Sequence, residues 1–381
     1  MISGERFSVV YRLSAQNRQE AYAKAQDICI EQTVEFPAEL IPAGLIADHI
    51  VGRLESFEFI GSGFYRIMIS YAVETAANEF TQLLNVIFGN ISIKSGIWVE
   101  RLLLPEVLLS IFRGPRFGRG GLRQLLDAPE RPLLHTALKP MGLSADALAE
   151  LAYQCALGGI DIIKDDHGLT NQQFAPFEER VALCAQAVAR ANRQSGGSSI
   201  YVANVTAAPQ QIAARAKFAR DAGAGGLLIA PALTGYEAMR LLAEDDDIKL
   251  PIICHPAFQG SYVTGDGGIA HFALYGQLAR LAGADATVYP NFGGRFSFSR
   301  DECENIVQGT KVAMGSIKTI FPSPGGGISL DRIPELLQVY GKDVIFLVGG
   351  GLFKHGPDIK ENCRHFRNLV EEFSYAEQMV L

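Results

Sequence analysis

From about residue 131 onward the chain alternates short apolar runs with amphipathic stretches, and this regularity constrains the fold more than any other feature. Runs rich in Val, Ile, Leu and Phe fall at 133–138, 160–164, 200–204, 226–230, 251–255, 286–289, 317–321 and 344–348. Continuous apolar runs bounded by loops are what buried parallel strands require. Helical periodicity lies between them, for example at 145–156, 178–193, 209–222 and 333–340, and supplies the crossovers that parallel strands need. An open doubly wound sheet usually stops at about five or six strands, whereas eight alternations suit a (β/α)8 barrel. The expected fold class is therefore α/β, with a TIM barrel over 131–381 that includes a C-terminal helix.

Residues 1–112 show another texture. A strand at 7–13, a helix at 17–30, a strand pair within 56–73 and a helix at 80–88 follow no regular βα repeat, which predicts a separate N-terminal α+β domain. Within it Glu31 and Asn90 stand beside apolar runs and read, on their own, as turn or capping residues. Residues 113–130 contain the Gly/Arg-rich run Gly114-Pro115-Arg116-Phe117-Gly118-Arg119-Gly120-Gly121, which reads as a linker.

The 381 residues are 48% hydrophobic and 20% charged, enough apolar material for a sizeable core. A net charge of −7, with no basic block, argues against nucleic-acid and anionic-membrane partners. An anionic small molecule would need locally placed cations. No apolar window reaches the roughly 18 residues of a membrane span and no leader pattern opens the chain, so a cytoplasmic location is expected. The six cysteines have neither paired nor CxxC spacing and are expected to be reduced thiols.

A barrel of this kind carries its chemistry at the C-terminal ends of its strands. The second run ends in Lys164-Asp165-Asp166-His167. Strand alternation sends Lys164 and Asp166 to one face and Asp165 to the other, with His167 at the turn able to rejoin the first pair. A plain Lys164–Asp166 ion pair is the other use of that arrangement. The first run ends in Lys139, the third in Asn204, the fifth in His255, and the sixth in a loop that reaches Arg295. The seventh and eighth end in Gly325-Gly326-Gly327 and Gly349-Gly350-Gly351, where barrels often bind phosphate through backbone N–H groups. A phosphorylated substrate is expected.

The run GGIDIIKDDH, preceded by LKPMGLS and followed by PGGG and VGGG, resembles the large subunit of ribulose bisphosphate carboxylase. It resembles more closely the non-carboxylating relatives of that enzyme, the RuBisCO-like proteins (form IV). The likeness runs from EQTVEFP through FGNISIKSG and GPRFGRGGLR to the last glycine triplet, with motif order kept. The resemblance implies an α+β domain followed by a (β/α)8 barrel. It makes Lys164 the lysine that CO2 carbamylates and that then binds Mg2+, with Asp166 as a carboxylate ligand. His167 stands where a second carboxylate is expected. It binds the metal, or it has become a proton-transfer group, or the site is metal-free. Lys139 matches the enolising lysine, while Met141 replaces the family's second lysine. His255 matches a substrate-contacting histidine. Arg295 falls where the mobile-loop lysine sits, Val288 replaces a further histidine, and Gly325 replaces a serine. The phosphate would lie on Gly325, Gly326, Gly327, Gly349 and Gly350. The resemblance also implies a homodimer in which Glu31 and Asn90 complete the partner's site.

These exchanges argue against CO2 fixation and leave an enolising core. The expected function is an enolase or isomerase acting on a phosphorylated sugar-derived ketone, such as one from methylthioribulose phosphate metabolism. A decarboxylase or hydrolase of an oxo-isoapionate-type phosphate is the alternative, and a non-catalytic phosphometabolite-binding descendant is the third. A methylthio substrate wants an apolar wall, which Met141, Phe258, Phe292 and Phe296 can supply; a branched oxo-acid wants a cation, which Arg295 can supply.

Overall fold

The computed structural model describes residues 2–376. In chain order its strands are β1 (Arg6–Ser14), β2 (Arg53–Gly61), β3 (Phe64–Ala72), β4 (Ile97–Leu103), β5 (Leu133–Leu138), β6 (Ile162–Asp165), β7 (Ile200–Asn204), β8 (Gly226–Ile229), β9 (Ile252–Cys254), β10 (Gly268–Ile269), β11 (Ala286–Pro290), β12 (Phe321–Gly325) and β13 (Ile345–Leu347). Packing divides the chain into two units.

The first unit contains residues 1–112 together with 259–278 and 312–317. Its sheet runs β10-β4-β1-β3-β2, antiparallel except where β10 joins β4. Strand β1 alternates strictly, burying Phe7, Val9, Tyr11 and Leu13 on one face, as a half-buried strand must. The helix Arg18–Glu31 starts at Asn17, whose side chain accepts from the Glu20 N–H at 3.0 Å while Glu20 accepts from the Gln16 N–H at 2.9 Å.

The second unit contains residues 113–258, 279–311 and 318–381. Its eight parallel strands close in the order β11-β12-β13-β5-β6-β7-β8-β9, so the α/β barrel expected from the alternation is present. Seven of the eight runs lie within a few residues of their expected places. The seventh does not: β12 occupies Phe321–Gly325 instead of 317–321. Pro322 and Pro324 make that stretch read as a loop, since proline cannot donate to a ladder.

The 113–130 segment is not a linker. Gly118–Leu125 is a helix, and Leu122, Leu126 and Ala128 join one buried cluster with Leu133, Ile162, Ile253 and Phe321 from the strands. The buried Asp285 carboxylate accepts from the N–H groups of Phe117 (2.8 Å), Gly118 (2.6 Å) and Ile252 (2.9 Å), fastening the helix start to the strands. Arg119 donates to Ile320 O, and Arg123 donates to the carbonyls of Ala128, Arg131 and Lys342. The arginines and glycines are thus a fitted plug. Gly118 has φ +61°, and a Cβ there would lie 2.9 Å from Thr319 O, so no other residue fits without displacement. Among the described residues no helix is long and apolar enough to cross a membrane, and all six cysteines are buried thiols outside any disulfide.

Leu122 is fully buried in this plug, so Leu122→Ala leaves a cavity as well as losing transfer energy. A loss of about 2–5 kcal/mol is expected in chemical denaturation. A loss below about 1 kcal/mol would show that the plug does not seal the core.

Candidate active site

The end of β6 sets the site. Asp165 faces outward and is fully buried, and four groups hold it. Arg180 donates from Nε and Nη2 at 3.2 Å each, the Tyr201 hydroxyl at 2.7 Å, and the Asn204 N–H at 3.0 Å. Arg180 also donates to Thr170 O and Ala175 O, and the Asn204 amide donates to His167 O and Leu169 O. Asn204, at the end of β7, therefore serves the loop backbone that carries Asp166 and His167. Arg180 and Tyr201 were not singled out from sequence; a buried arginine on the following helix shows only once the fold is known.

Lys164 faces the other way and is 1% exposed. Its Nζ donates to Asp165 O at 3.0 Å. Burial, the largest effect, and the neighbouring Lys139 charge push the amine down to about 8, against the attraction of Asp166 and Asp165. A plain Lys164–Asp166 ion pair is not what forms: Asp166 Oδ1 pairs with Lys139 Nζ at 2.9 Å and approaches His167 Nδ1 at 3.5 Å. Burial alone would raise the Asp166 carboxyl. Hydrogen bonds from His167 and Lys139, with the Lys164 charge, outweigh burial and hold it well below the usual carboxylate range.

The rings of His167 and His255 stack at 4.5 Å with 13° between their planes. His255 Nδ1 accepts from the Ala257 N–H at 3.1 Å, which leaves its proton on Nε2. Burial, then the Lys164 and His167 charges, push its pKa well down, so the ring is neutral. Lys139, Lys164, Asp166, His167 and His255 are thus one assembly on β5, β6 and β9 ends.

The loops after β12 and β13 meet: a Cβ on Gly351 would lie 2.8 Å from Ile328 O. Gly326 and Gly327 have φ of +75° and +77°, which only glycine adopts without strain, and Cβ positions on Gly349 and Gly350 are open. Gly325 closes β12 itself. The loop after β11 rests on this corner, since a Cβ on Gly294 would lie 2.7 Å from Gly326 O and one on Gly327 would strike Gly294 Cα. Arg332 clips the two loops, donating from Nη1 to Phe292 O (3.2 Å) and Gly327 O (3.3 Å). Arg295 stacks over Phe296, its Cζ 4.9 Å from the ring centre. Of the apolar wall, Met141, Phe258 and Phe296 are 50%, 65% and 48% exposed. Phe292 is not part of it: it is 9% exposed, packed on Tyr340 beneath Arg332. Val288 lies in the apolar barrel cluster.

Glu31 and Asn90 belong to the first unit, where Asn90 Nδ2 donates to Glu31 Oε1 at 3.1 Å and Lys94 Nζ lies 3.7 Å from Glu31 Oε2. Neither is merely a cap; they form one polar cluster. Among the described residues no three His, Cys, Asp or Glu side chains are grouped to hold a metal ion.

Holding the Lys164 amine at about 8 instead of 10.5 corresponds to roughly 3 kcal/mol stored against folding at neutral pH. Lys164→Met is therefore expected to stabilise the protein by about 1–3 kcal/mol at pH 7. The unfolded chain binds the extra proton between pH 8 and 10.5, so wild-type stability rises with pH there and the variant's advantage shrinks across that window. Paired denaturation curves at pH 7 and pH 10 measure this; a variant less stable than wild type at pH 7 would contradict it.

Residues 120–371 match the family model for the catalytic domain of the ribulose bisphosphate carboxylase large chain. The chain is 37% identical over 366 residues to ribulose bisphosphate carboxylase-like protein 1 of Rhodopseudomonas palustris, covering 96% of this chain and 98% of that one. It is 36% identical to the 5-methylthioribulose-1-phosphate isomerase of Rhodospirillum rubrum, covering 95% of each. Among solved structures, a RuBisCO-like protein from Rhodopseudomonas palustris superposes with a TM-score of 0.87 at 39% identity, covering 96% of this chain and 98% of that one. The RuBisCO-like protein MtnW of Alicyclobacillus acidocaldarius gives 0.88 at 31%, covering 98% and 94%. With a family model spanning most of its barrel and relatives aligned over nearly its whole length, the chain belongs to the ribulose bisphosphate carboxylase large-chain family, as one of its RuBisCO-like proteins.

Proposed function

We propose that this chain enolises a phosphorylated sugar-derived ketone as an isomerase or enolase and does not fix CO2. The observation that carries the reading is the Lys139–Asp166 pair at 2.9 Å above the buried amine of Lys164. Relatives point the same way: one is named 5-methylthioribulose-1-phosphate isomerase and several are named 2,3-diketo-5-methylthiopentyl-1-phosphate enolase. Against carboxylation stand Met141, His167, Arg295 and Gly325 in place of the family's charged or hydroxyl groups, and Val288 buried among apolar side chains.

The residues fit Mg2+ under one condition. Magnesium wants oxygen donors, and Asp166 supplies a carboxylate while His167 supplies only nitrogen. An unprotonated Lys164 amine can attack CO2, forming a C–N bond and losing one proton, and the carbamate so made contributes the missing oxygen. Carbamylated Lys164, Asp166 and His167 would then hold the ion. Bound there, Mg2+ would polarise the ketone and stabilise the charge of the enediolate.

Lys139 is the group placed to carry the α-proton, which it can accept only when its pairing with Asp166 is released, as the turn of Asp166 toward the ion would do. His255, neutral with its proton on Nε2, donates to a substrate oxygen. Backbone N–H groups around Gly326, Gly327, Gly349 and Gly350 receive the phosphate. Met141, Phe258 and Phe296 leave apolar surface for a methylthio tail. A second copy of the chain supplies the Glu31–Asn90 cluster, which makes the functional species a homodimer.

Solvent exchange tests the reading. In D2O with Mg2+ and bicarbonate, 5-methylthioribulose 1-phosphate is expected to gain α-deuterium by NMR. Lys164→Ala should abolish the exchange, and Lys139→Ala should slow it by about 10²–10⁴. Exchange that survives Lys164→Ala, or its absence with every phosphorylated ketone and divalent metal tried, would overturn the proposal.

A further inference from the structure

One cation beside the rim has no place in the scheme above. Arg332 lies in the turn that follows the glycine triplet 325–327, and its guanidinium is fixed on three sides. Nε donates to Glu335 Oε2 at 3.0 Å and Nη2 to Oε1 at 3.3 Å, a forked pair that sets the plane of the group. Nη1 is then left with two hydrogens, one for Phe292 O at 3.2 Å and one for Gly327 O at 3.3 Å. The face of the group covers the Phe292 ring, with Cζ 5.1 Å from its centre. A guanidinium held this firmly does more than tether two loops. It sets the direction of the two carbonyls that it binds.

That direction decides where the next two N–H groups point. The bonds Phe292–Gly293 and Gly327–Ile328 are trans, and in a trans peptide the N–H runs opposite to the C=O. Arg332 stands on the outer, helix-facing side of the barrel wall. Strand parity shows this: Val288 faces the interior, so Tyr289 and Asn291 face out, where the Tyr340 hydroxyl donates to Asn291 Oδ1 at 2.6 Å. The same Tyr340 supports the Phe292 ring beneath Arg332. With both carbonyls drawn outward, the N–H groups of Gly293 and Ile328 face inward, toward the barrel mouth. Among the described residues neither N–H donates to a backbone acceptor. Ile328 is 5% exposed, and a buried N–H left in this way calls for a partner. Gly293 and Gly327 hold φ of +69° and +77°, and a Cβ on Gly293 would lie 3.2 Å from Arg332 Nη1, so the arrangement depends on glycine at both places.

We infer that Arg332 is a positioning residue for the phosphate subsite: by holding the Phe292 and Gly327 carbonyls it turns the Gly293 and Ile328 N–H groups toward a phosphate at the rim. The loop after β11 and the glycine corner after β12 thereby act as one anion-binding surface. The inference deepens the functional reading above and rests on its phosphate half. Arg332 touches no phosphate, and its effect reaches the ligand through the two peptides. A lysine at 332 would keep the charge without the planar fork that sets both carbonyls at once.

Inorganic phosphate is the probe, titrated into the full chain at fixed ionic strength. The Ile328 amide, labelled with 15N-isoleucine and assigned by its loss in Ile328→Val, is expected to move downfield as phosphate binds. Arg332→Ala should weaken the phosphate Kd about tenfold, the loss of roughly one hydrogen bond to a charged group. Arg332→Lys should weaken it nearly as much. With the phosphorylated ketone that exchanges deuterium, Arg332→Ala should raise KM about tenfold and leave kcat within about threefold, because the phosphate is held alike in ground and transition states. An Ile328 amide indifferent to phosphate, or a wild-type Kd in Arg332→Ala, overturns the inference. A wild-type Kd in Arg332→Lys shows that charge alone acts and overturns it as well. Should Arg332→Ala fail to fold, Glu335→Ala, which releases the plane of the guanidinium, takes its place in the same comparison. A wild-type chain that binds phosphate with the Ile328 shift but enolises no ketone sinks the functional reading instead and leaves the role of Arg332 standing.

Discussion

The active-site assembly depends on how two neighbouring carboxylates are committed. Asp165 and Asp166 flank the Lys164 amine, and either could neutralise it. Asp165 is turned outward and saturated by Arg180, Tyr201 and the Asn204 N–H. Asp166 is taken by Lys139 and His167. The amine is left with a backbone carbonyl as its hydrogen-bond acceptor. A lysine with a dedicated carboxylate partner would stay protonated and inert as a nucleophile; this one is kept near the boundary because its natural counter-ions are occupied elsewhere.

The barrel enforces this division through its two ends. At the N-terminal end Leu122, Leu126 and Phe117 close the interior, so bulk water does not reach Lys164 from below. At the C-terminal end the loops after β11, β12 and β13 approach one another only because Gly294, Gly327 and Gly351 lack side chains, and Arg332 ties two of these loops through their carbonyls. A dry floor and a backbone-lined rim are different requirements, and different stretches meet them: Leu- and Arg-rich sequence below, glycine triplets above. The depressed amine belongs to the floor. On the proposed reading the phosphate belongs to the rim.

Much of this was legible in the sequence because it rests on period and parity. Alternation along a strand is a geometric necessity, so the opposite facing of Lys164 and Asp165 follows from their numbers alone. The bounds of β5 and β7 also follow from short runs rich in apolar residues. What failed to show depends on partners distant in sequence. Phe321–Gly325 carries two prolines and reads as loop until β11 is seen beside it. The Gly/Arg run before the barrel reads as linker until Asp285 and the carbonyls of Ile320 and Lys342 are found to receive it. Phe292 looks like wall and is core, because Tyr340 lies 48 positions further on and reaches its ring. Asp166 finds Lys139 on the neighbouring strand instead of Lys164 two residues back, a choice that spacing alone cannot make.

His167 gives the proposed chemistry its particular character. A carboxylate there would add negative charge beside Asp166 and strengthen the pull on the ammonium form of Lys164. The imidazole adds none when neutral; it stacks on His255 and leans toward Asp166 Oδ1. On the proposed reading a divalent ion would then meet two anions, the carbamate and Asp166, where the carboxylase offers three. A less neutralised ion draws electrons from the substrate carbonyl more strongly while being held less tightly. Such a trade suits a reaction that stops at the enediolate and returns a proton, since no second gaseous substrate has to be stabilised beside it. The same exchange removes the charge that would have competed with Asp166 for Lys139, so the pair at 2.9 Å and the imidazole at 167 are two sides of one electrostatic arrangement.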